Sequence, residues 1–484
     1  MSTDVIVKLK DMARDPGRVW IRGRASYADL LAETGRLANT LQALGLVKGD
    51  RLLLQVEKTE AVLSLYLACL RLGVVFLPVN PGYTAAETQH FLTDAEPALV
   101  VADRPVAGAR VVTLVDLMAQ AAGASADFAD PAHGPDDLAA ILYTSGTTGR
   151  SKGVMLSREN LASNAEALVR LWRFTAQDVL LHALPVFHTH GLFVATNCAL
   201  YSGASLIFQA GFSPDAVLAA LPQATVMMGV PTFYTRLLAD PRLTRELCGA
   251  MRLFISGSAP LSPATHADWQ ARTGHAILER YGMTETNMIT SNPYDDARRA
   301  GTVGMPLPGV EVRVTGPDGT PLPQGEAGSI EVRGPNVFHG YWRLPEKTAE
   351  EFRDGWFVTG DLGATDSQGY LSILGRAKDL VISGGLNVYP AEVEAALDDL
   401  PGVAGSAVIG VPHPDFGEAV VACVIPAKGA VLEEAALREA LRERLAAFKI
   451  PKRVLVMADF PRNAMGKVQK AELRKQNAGL FVQG

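Results

Sequence analysis

Unbroken apolar runs recur through the first third of the chain, and each is separated from the next by a segment whose apolar residues return with helical spacing. Leu52–Val56, Val74–Val79 and Ala98–Ala102 read as strands buried on both faces. Between them, Ser26 opens a helix that turns Leu30, Leu31, Leu37 and Leu41 to one side and ends near Gly45. A second helix covers 58–72 and stops at Gly73, and Thr84 with Glu87 forms a capping box for a third. Strands that alternate with amphipathic helices need helices on both faces of a largely parallel sheet, so the expected class is α/β with doubly wound layers.

The middle of the chain keeps this rhythm. Ser157 is placed to cap a helix running to about Arg173, Ser213-Pro214 sets a cap with proline at the first helical position, and 224–230 and 253–256 are further buried strands. From about residue 300 the character changes. The segment 301–375 is rich in Gly and Pro, with short alternating strands such as Val310–Val314 and Ser329–Val332, and reads as a small β-rich subdomain. A compact α+β unit follows, with helices at 390–399 and 432–447 and strands near 405–411, 418–425 and 453–457. The expected division is a large N-terminal domain over 1–377 and a small C-terminal domain over 378–484.

The 484 residues leave room for two to four domains. A net charge of -6 offers no general attraction to nucleic acid or to an anionic membrane, so any anion site is local. The four cysteines, Cys69, Cys198, Cys248 and Cys423, are far apart and have no CxxC pair, which argues against disulfides or zinc. No apolar run approaches the ~20 residues of a membrane span. A cytoplasmic enzyme, monomeric or weakly self-associating, is expected.

Four segments carry chemistry. Thr144, Ser145, Gly146, Thr147, Thr148, Gly149 and Lys152 follow the apolar strand Leu138–Leu142, and a loop of glycines, hydroxyls and a lysine has the composition of a phosphate cradle. It is not a Walker A loop, because Ser151 precedes Lys152 and Gly153 follows it. In Tyr281-Gly282-Met283-Thr284-Glu285 the ring can stack on a base, Thr284 can donate to a phosphate, and Glu285 can hold Mg²⁺. Asp361 suits ribose hydroxyls, and Arg376 suits ribose or phosphate. The last segment, Pro461-Arg462-Asn463-Ala464-Met465-Gly466-Lys467, is unremarkable in isolation.

In this order and spacing the segments resemble the adenylate-forming superfamily of acyl-CoA synthetases, luciferases and peptide-synthetase adenylation domains, over nearly the whole chain. The resemblance implies an ATP-dependent acid–CoA ligase working through an acyl-adenylate, with Mg²⁺ and coenzyme A. It implies a phosphate loop over Thr144–Lys152 and adenine held by Ser258-Ala259-Pro260 with Tyr281-Gly282-Met283. Thr284 would touch the α-phosphate, Glu285 would bind Mg²⁺, and Asp361 with Arg376 would hold ribose. Lys467 would reach the carboxylate and α-phosphate. A mobile C-terminal domain hinged at Lys378 would bring Ser383-Gly384-Gly385 to the pantetheine arm. Ser151 departs from the usual proline of this family.

The segment 187–192, FHTHGL, has His188 where amino-acid-activating relatives carry an aspartate, and His190 would border the acid pocket and the coenzyme A tunnel. Arg280, with Arg236, Ser256 and Gly257, looks like the malonyl-CoA and methylmalonyl-CoA synthetases, in which an arginine could hold a second carboxylate. A small dicarboxylic acid is therefore the expected substrate. The alternative is a medium-chain or aryl monocarboxylic acid, with Arg280 neutralised by Glu279.

Overall fold

The computed structural model describes residues 2–144, 151–383, 386–462 and 466–481. The chain forms two compact units. One comprises Met1–Leu261, Thr265–Val312 and Val332–Phe357; the other comprises Ser262–Ala264, Arg313–Glu331 and Val358–Gly484.

Among the described residues the first unit holds a seven-stranded and a nine-stranded sheet. In the seven-stranded sheet, Arg51–Gln55 lies between Val75–Pro78 and Leu99–Ala102, all parallel. Leu138–Thr144 joins Val75–Pro78 in parallel, and Lys152–Ser157 returns antiparallel beside it. The centre of the nine-stranded sheet is also parallel, running Ser205–Phe208, Val179–His182, Val226–Gly229, Leu253–Ser256, Leu278–Met283. The strands read from apolar runs are these central ones, and they are buried throughout their length, as parallel pairing with helices on both faces requires.

The helices end where their sequence signals place them. Tyr27–Ala43 begins at a capping box of Ser26 with Asp29, Ala85–Ala95 at Thr84 with Glu87, and Arg158–Leu171 at Ser157 with Asn160. Glu60–Leu72 stops at Gly73, whose left-handed φ of 84° is a conformation that costs other residues a Cβ clash. This helix is buried all round from Val62 to Leu72. Its Tyr66 lies 5.5 Å from Phe76 in one sheet and 5.7 Å from Phe193 below the other, so it fills the space between them. Pro214 opens its helix as expected, but Ser213 makes no side-chain capping bond. All four cysteines are free and buried.

In the second unit, Trp356–Thr365 pairs antiparallel with Leu371–Arg376. A separate sheet runs Leu386–Val388, Val381–Ser383, Gly417–Pro426, Val403–His413, and Arg453–Val456 adds parallel to Gly417–Pro426. The compact units do not divide at Lys378. The β-rich segments Arg313–Glu331 and Val358–Arg376, which share one sheet, cluster with the C-terminal residues. The helix expected over 432–447 is Glu434–Arg442 followed by a 3₁₀ turn, Ala447–Lys449.

Candidate active site

Strand Leu253–Ser256 runs parallel to Leu278–Met283 with Ser256 opposite Glu279, which places Ser256-Gly257-Ser258 alongside Arg280. Alternation along the strand sends Glu279 and Arg280 to opposite faces. The carboxyl group of Glu279 accepts backbone N–H groups of Gly301 and Leu261, and burial raises its pKa to about 8, so it is neutral at pH 7 and does not neutralise Arg280. Arg280 is only 3% exposed. Its guanidinium lies against Gly257, where a Cβ would fall 2.4 Å from Cζ, so residue 257 has to be glycine for the arginine to fit. Burial pushes its pKa down to about 9, which still leaves it charged at neutral pH. Among the described residues nothing hydrogen-bonds its Nε or Nη2.

His190 starts a π-helical turn, His190–Ala195. The turn passes so close to Pro185 that a Cβ on Gly191 would sit 2.0 Å from the Pro185 carbonyl oxygen. The His190 ring is buried, with Nδ1 3.5 Å from Ser258 Oγ. Burial first, and then the charges of Arg280 and His182, hold its pKa well below the usual range, so the ring is neutral. Ser258 has a left-handed φ of 70°, a strained conformation for a residue with a side chain. Thr189 Oγ1, His190 Nε2 and Ser256 Oγ are also buried and, among the described residues, without partners. Native folds leave few such atoms. Here they gather on three segments around one guanidinium, the pattern of a site that a polar ligand completes.

Arg236 is not part of this group. It is exposed, in the last turn of helix Pro231–Leu238. Tyr234 on the same helix is buried, with its hydroxyl donating to Ile255 O at 2.6 Å. Two residues on is about 200° round the helix, so Arg236 leaves it on a different side from Tyr234.

The nucleotide-binding candidates of this unit lie on two hairpins. Thr144 ends one strand, Lys152 opens the next, and the two are in register, so both flanks of the expected phosphate loop are strand residues. Ser145, Gly146, Thr147, Thr148 and Gly149 lie outside the described residues, as do Gly384 and Gly385. Lys152 Nζ is 2.9 Å from Glu351 Oε1 and 3.9 Å from the centre of the Tyr341 ring. The Tyr341 hydroxyl in turn donates to Glu285 Oε1 at 3.1 Å. Thr284 and Glu285 form the turn between Leu278–Met283 and Asn287–Ser291, with Glu285 buried. A Cβ on Gly282 would meet Asn287 O at 2.0 Å, so the tight hairpin requires that glycine. Tyr281 and Met283 are half-buried, whereas Ala259 and Pro260 are exposed. Tyr341 and Glu351 carry no motif of their own, and sequence reasoning missed them. A single buried carboxylate beside a neutral hydroxyl donor fits a hard cation that takes its remaining ligands from phosphates and water.

In the second unit Arg376 Nε is 2.9 Å from Asp361 Oδ1, across an antiparallel pair that sets the two residues opposite each other. Arg376 also donates to Thr359 O at 3.2 Å. Lys378 is exposed in the 3₁₀ turn Ala377–Asp379, and Asp379 is held by Arg474 at 2.7 Å. Ser383 is buried at a strand end opposite Gly417. Lys467 is exposed next to Gly466, whose φ is 76° and whose carbonyl accepts from Arg462 at 2.8 Å.

Known proteins resemble this chain over nearly its whole length. The chain is 56% identical to ATP-bound MatB from Rhodopseudomonas palustris, over 99% of this chain and 100% of that one, with a TM-score of 0.96. A feruloyl-CoA synthase from Amycolatopsis sp is 37% identical over 93% of this chain and 94% of its own length. A malonate–CoA ligase from Arabidopsis thaliana is 35% identical over 91% of this chain and 80% of its own. The model of the AMP-binding enzyme family matches residues 10–342, and that of the AMP-binding enzyme C-terminal domain matches 392–467. The glycine-rich loop, the Tyr281–Glu285 hairpin and the buried Arg280 all fall within the first match, and Lys467 closes the second, so the chain belongs to the AMP-binding enzyme family, as an adenylate-forming acid–CoA ligase.

Proposed function

We propose that the acid is a small dicarboxylate, malonate and with it methylmalonate. The observation that carries this reading is the fork of two donors on Arg280, Nε and Nη2, buried and without protein partners among the described residues. One edge of a guanidinium matches a carboxylate bidentately. A diacid presents one carboxylate to that fork and the other to ATP. A monocarboxylic acid leaves the buried cation unpaired, at a cost of about 3–5 kcal/mol, or roughly two to four orders of magnitude in kcat/KM. The likeness to R. palustris MatB and to a malonate–CoA ligase supports the same choice. The feruloyl-CoA synthase likeness favours a monocarboxylic acid, whose one carboxylate, committed to ATP, leaves Arg280 without a counter-charge.

The roles follow from charge. Neutral His190, with Ser256 and Gly257, walls the acid against Arg280. Ser258-Ala259-Pro260 and Tyr281-Gly282-Met283 bracket adenine, Asp361 and Arg376 take ribose, and Thr144, Lys152 and Thr284 meet phosphates. Lys152 exchanges its contact with Glu351 for the triphosphate. Glu285 would hold Mg²⁺, which when bound offsets charge on the phosphates. Lys467 draws the acid carboxylate to the α-phosphate, offsetting the repulsion between two anions. The carboxylate displaces pyrophosphate from the α-phosphate, and the resulting adenylate is attacked by the thiol of coenzyme A, with AMP leaving. Ser383 lies on the face that receives the pantetheine arm, and Lys378 is the pivot of the C-terminal residues.

Thioester formation measured with malonate, methylmalonate, acetate and octanoate tests the proposal. Malonate or methylmalonate should exceed the monoacids by about a hundredfold or more. Equal rates with octanoate would overturn it.

A further inference from the structure

Lys58 is a buried cation that the reaction as described does not use. It follows strand Arg51–Gln55 of the seven-stranded sheet, and its ammonium ends among residues of the nine-stranded one. Nζ lies 3.1 Å from His182 Nδ1, 2.8 Å from His182 O and 2.6 Å from Gln209 O, and 4.3 Å above the Phe208 ring. Among the described residues no carboxylate pairs with it. Three N–H bonds therefore meet three acceptors.

The tautomer of His182 follows from its partners. Its Nε2 is 2.9 Å from Gly191 O, and a carbonyl oxygen can only accept. Nε2 therefore carries the proton, Nδ1 is the acceptor, and Lys58 donates to it. Thr196 Oγ1 donates to the same carbonyl at 3.0 Å. Gly191 O thus has two side-chain donors, inside a π-helical turn where the ordinary helical pattern is broken. The residue before it is His190.

We infer that Lys58 is a positioning residue for the acid pocket: through His182 it fixes the carbonyl of Gly191, and so the turn that presents His190 beside Arg280. This inference rests on the reading of His190 as a wall of that pocket. Burial first, and then the charge of Lys58, hold the His182 pKa well below the usual range, so that ring stays in the neutral tautomer. His182 is the titratable group in direct contact with the ammonium. Burial brings the Lys58 pKa down to about 7, so the ammonium loses its proton as the pH rises past neutrality. The neutral amine has two protons for three acceptors, and the clamp on Gly191 loosens.

The test uses whichever acid gives the highest wild-type rate. Lys58→Met should raise the KM for that acid about tenfold or more while the KM for ATP stays within about twofold. In the wild type the acid KM should rise between about pH 6 and 8, centred near 7, and in Lys58→Met it should already be high at about pH 6, with that step missing. Two His182 variants separate positioning from bulk packing. The amide of His182→Gln can reproduce the Nε2 donor and should keep the acid KM within about threefold of wild type; His182→Asn reproduces only the Nδ1 acceptor and should show the Lys58→Met defect. A wild-type acid KM and pH profile in both Lys58→Met and His182→Asn overturns the inference. So does an equal rise in the KM for ATP, which marks general disruption. If malonate is a poor substrate while these effects appear with another acid, the substrate assignment fails and the positioning role stands.

Discussion

Arg280 and Lys58 are both buried cations in the same unit, 3% and 8% exposed, and their surroundings are opposite. Every proton of the Lys58 ammonium has a protein acceptor. The fork of Arg280 has none among the described residues. Both groups bear the cost of leaving water. Burial of charge therefore does not by itself mark a ligand site. Several unmatched polar atoms gathered around one charge do, as at Arg280, Ser256, Thr189 and His190, since the fold has left bonds for something else to make. One cation holds the protein together and the other waits for an anion.

The contrast breaks most visibly at Arg280. Arg280→Met should lower kcat/KM for malonate by about a hundred- to a thousandfold, while the acetate rate changes by less than about tenfold. The ligand-free protein should become more stable, its first thermal transition moving up by roughly a few degrees, because an unpaired charge has been replaced by an apolar chain. Malonate should raise the wild-type transition and leave that of the variant unchanged. An equal loss on malonate and acetate would make Arg280 a structural residue with no part in selecting the diacid.

Glu279 sharpens the comparison, since an ionised Glu279 would weaken the claim that Arg280 lacks compensation. Its folded pKa, about 8, lies above that of a solvated carboxyl. The protonated folded state is favoured below the unfolded pKa, and that advantage is lost as the pH rises to about 8. Glu279→Gln removes this dependence. Its stability relative to wild type should increase from pH 4 to pH 8, on the order of a few kcal/mol, and then level off. A flat difference across that range would mean that Glu279 is ionised in the fold.

The anion Glu285 has a neutral donor in Tyr341. Tyr341→Phe should raise the Mg²⁺ concentration needed for half-maximal rate by roughly two- to fivefold, the worth of about one hydrogen bond. Arg236 is the weakest case. As an exposed side chain its removal should change kcat/KM for malonate by less than about threefold; a loss as large as that of Arg280→Met would bring it back into the pocket.

Much of this arrangement is legible in the amino-acid sequence, for identifiable reasons. Apolar runs and capping residues are local, so Leu253–Ser256, Ser26 and Gly73 could be read directly. Arg280 was legible through the resemblance carried by its place before Tyr281, whereas its separation from Glu279 by strand alternation shows only in the fold. Arg236 reads in the sequence as one cluster with its neighbours in PTFYTR, whereas a helix turns neighbouring residues to different sides. Leu445 and Phe448 pack on the same core as Leu437 and Leu441, so the apolar spacing runs straight across the break between two helical pieces. Lys58 and His182 are 124 positions apart and Lys152 and Glu351 are 199 apart. No pattern in the sequence joins them, because their proximity is a product of sheet order.

Gly257 has a consequence for anyone who would retarget the enzyme. The space that a methyl group would occupy there is already taken by the Arg280 side chain. Shortening Arg280 alone leaves a hollow beside a residue with nothing to fill it, and enlarging Gly257 alone drives the guanidinium out of its seat. Neither single change leads smoothly to a working pocket for a different acid. The two positions have to be exchanged together, and libraries that vary one site at a time will pass over that route.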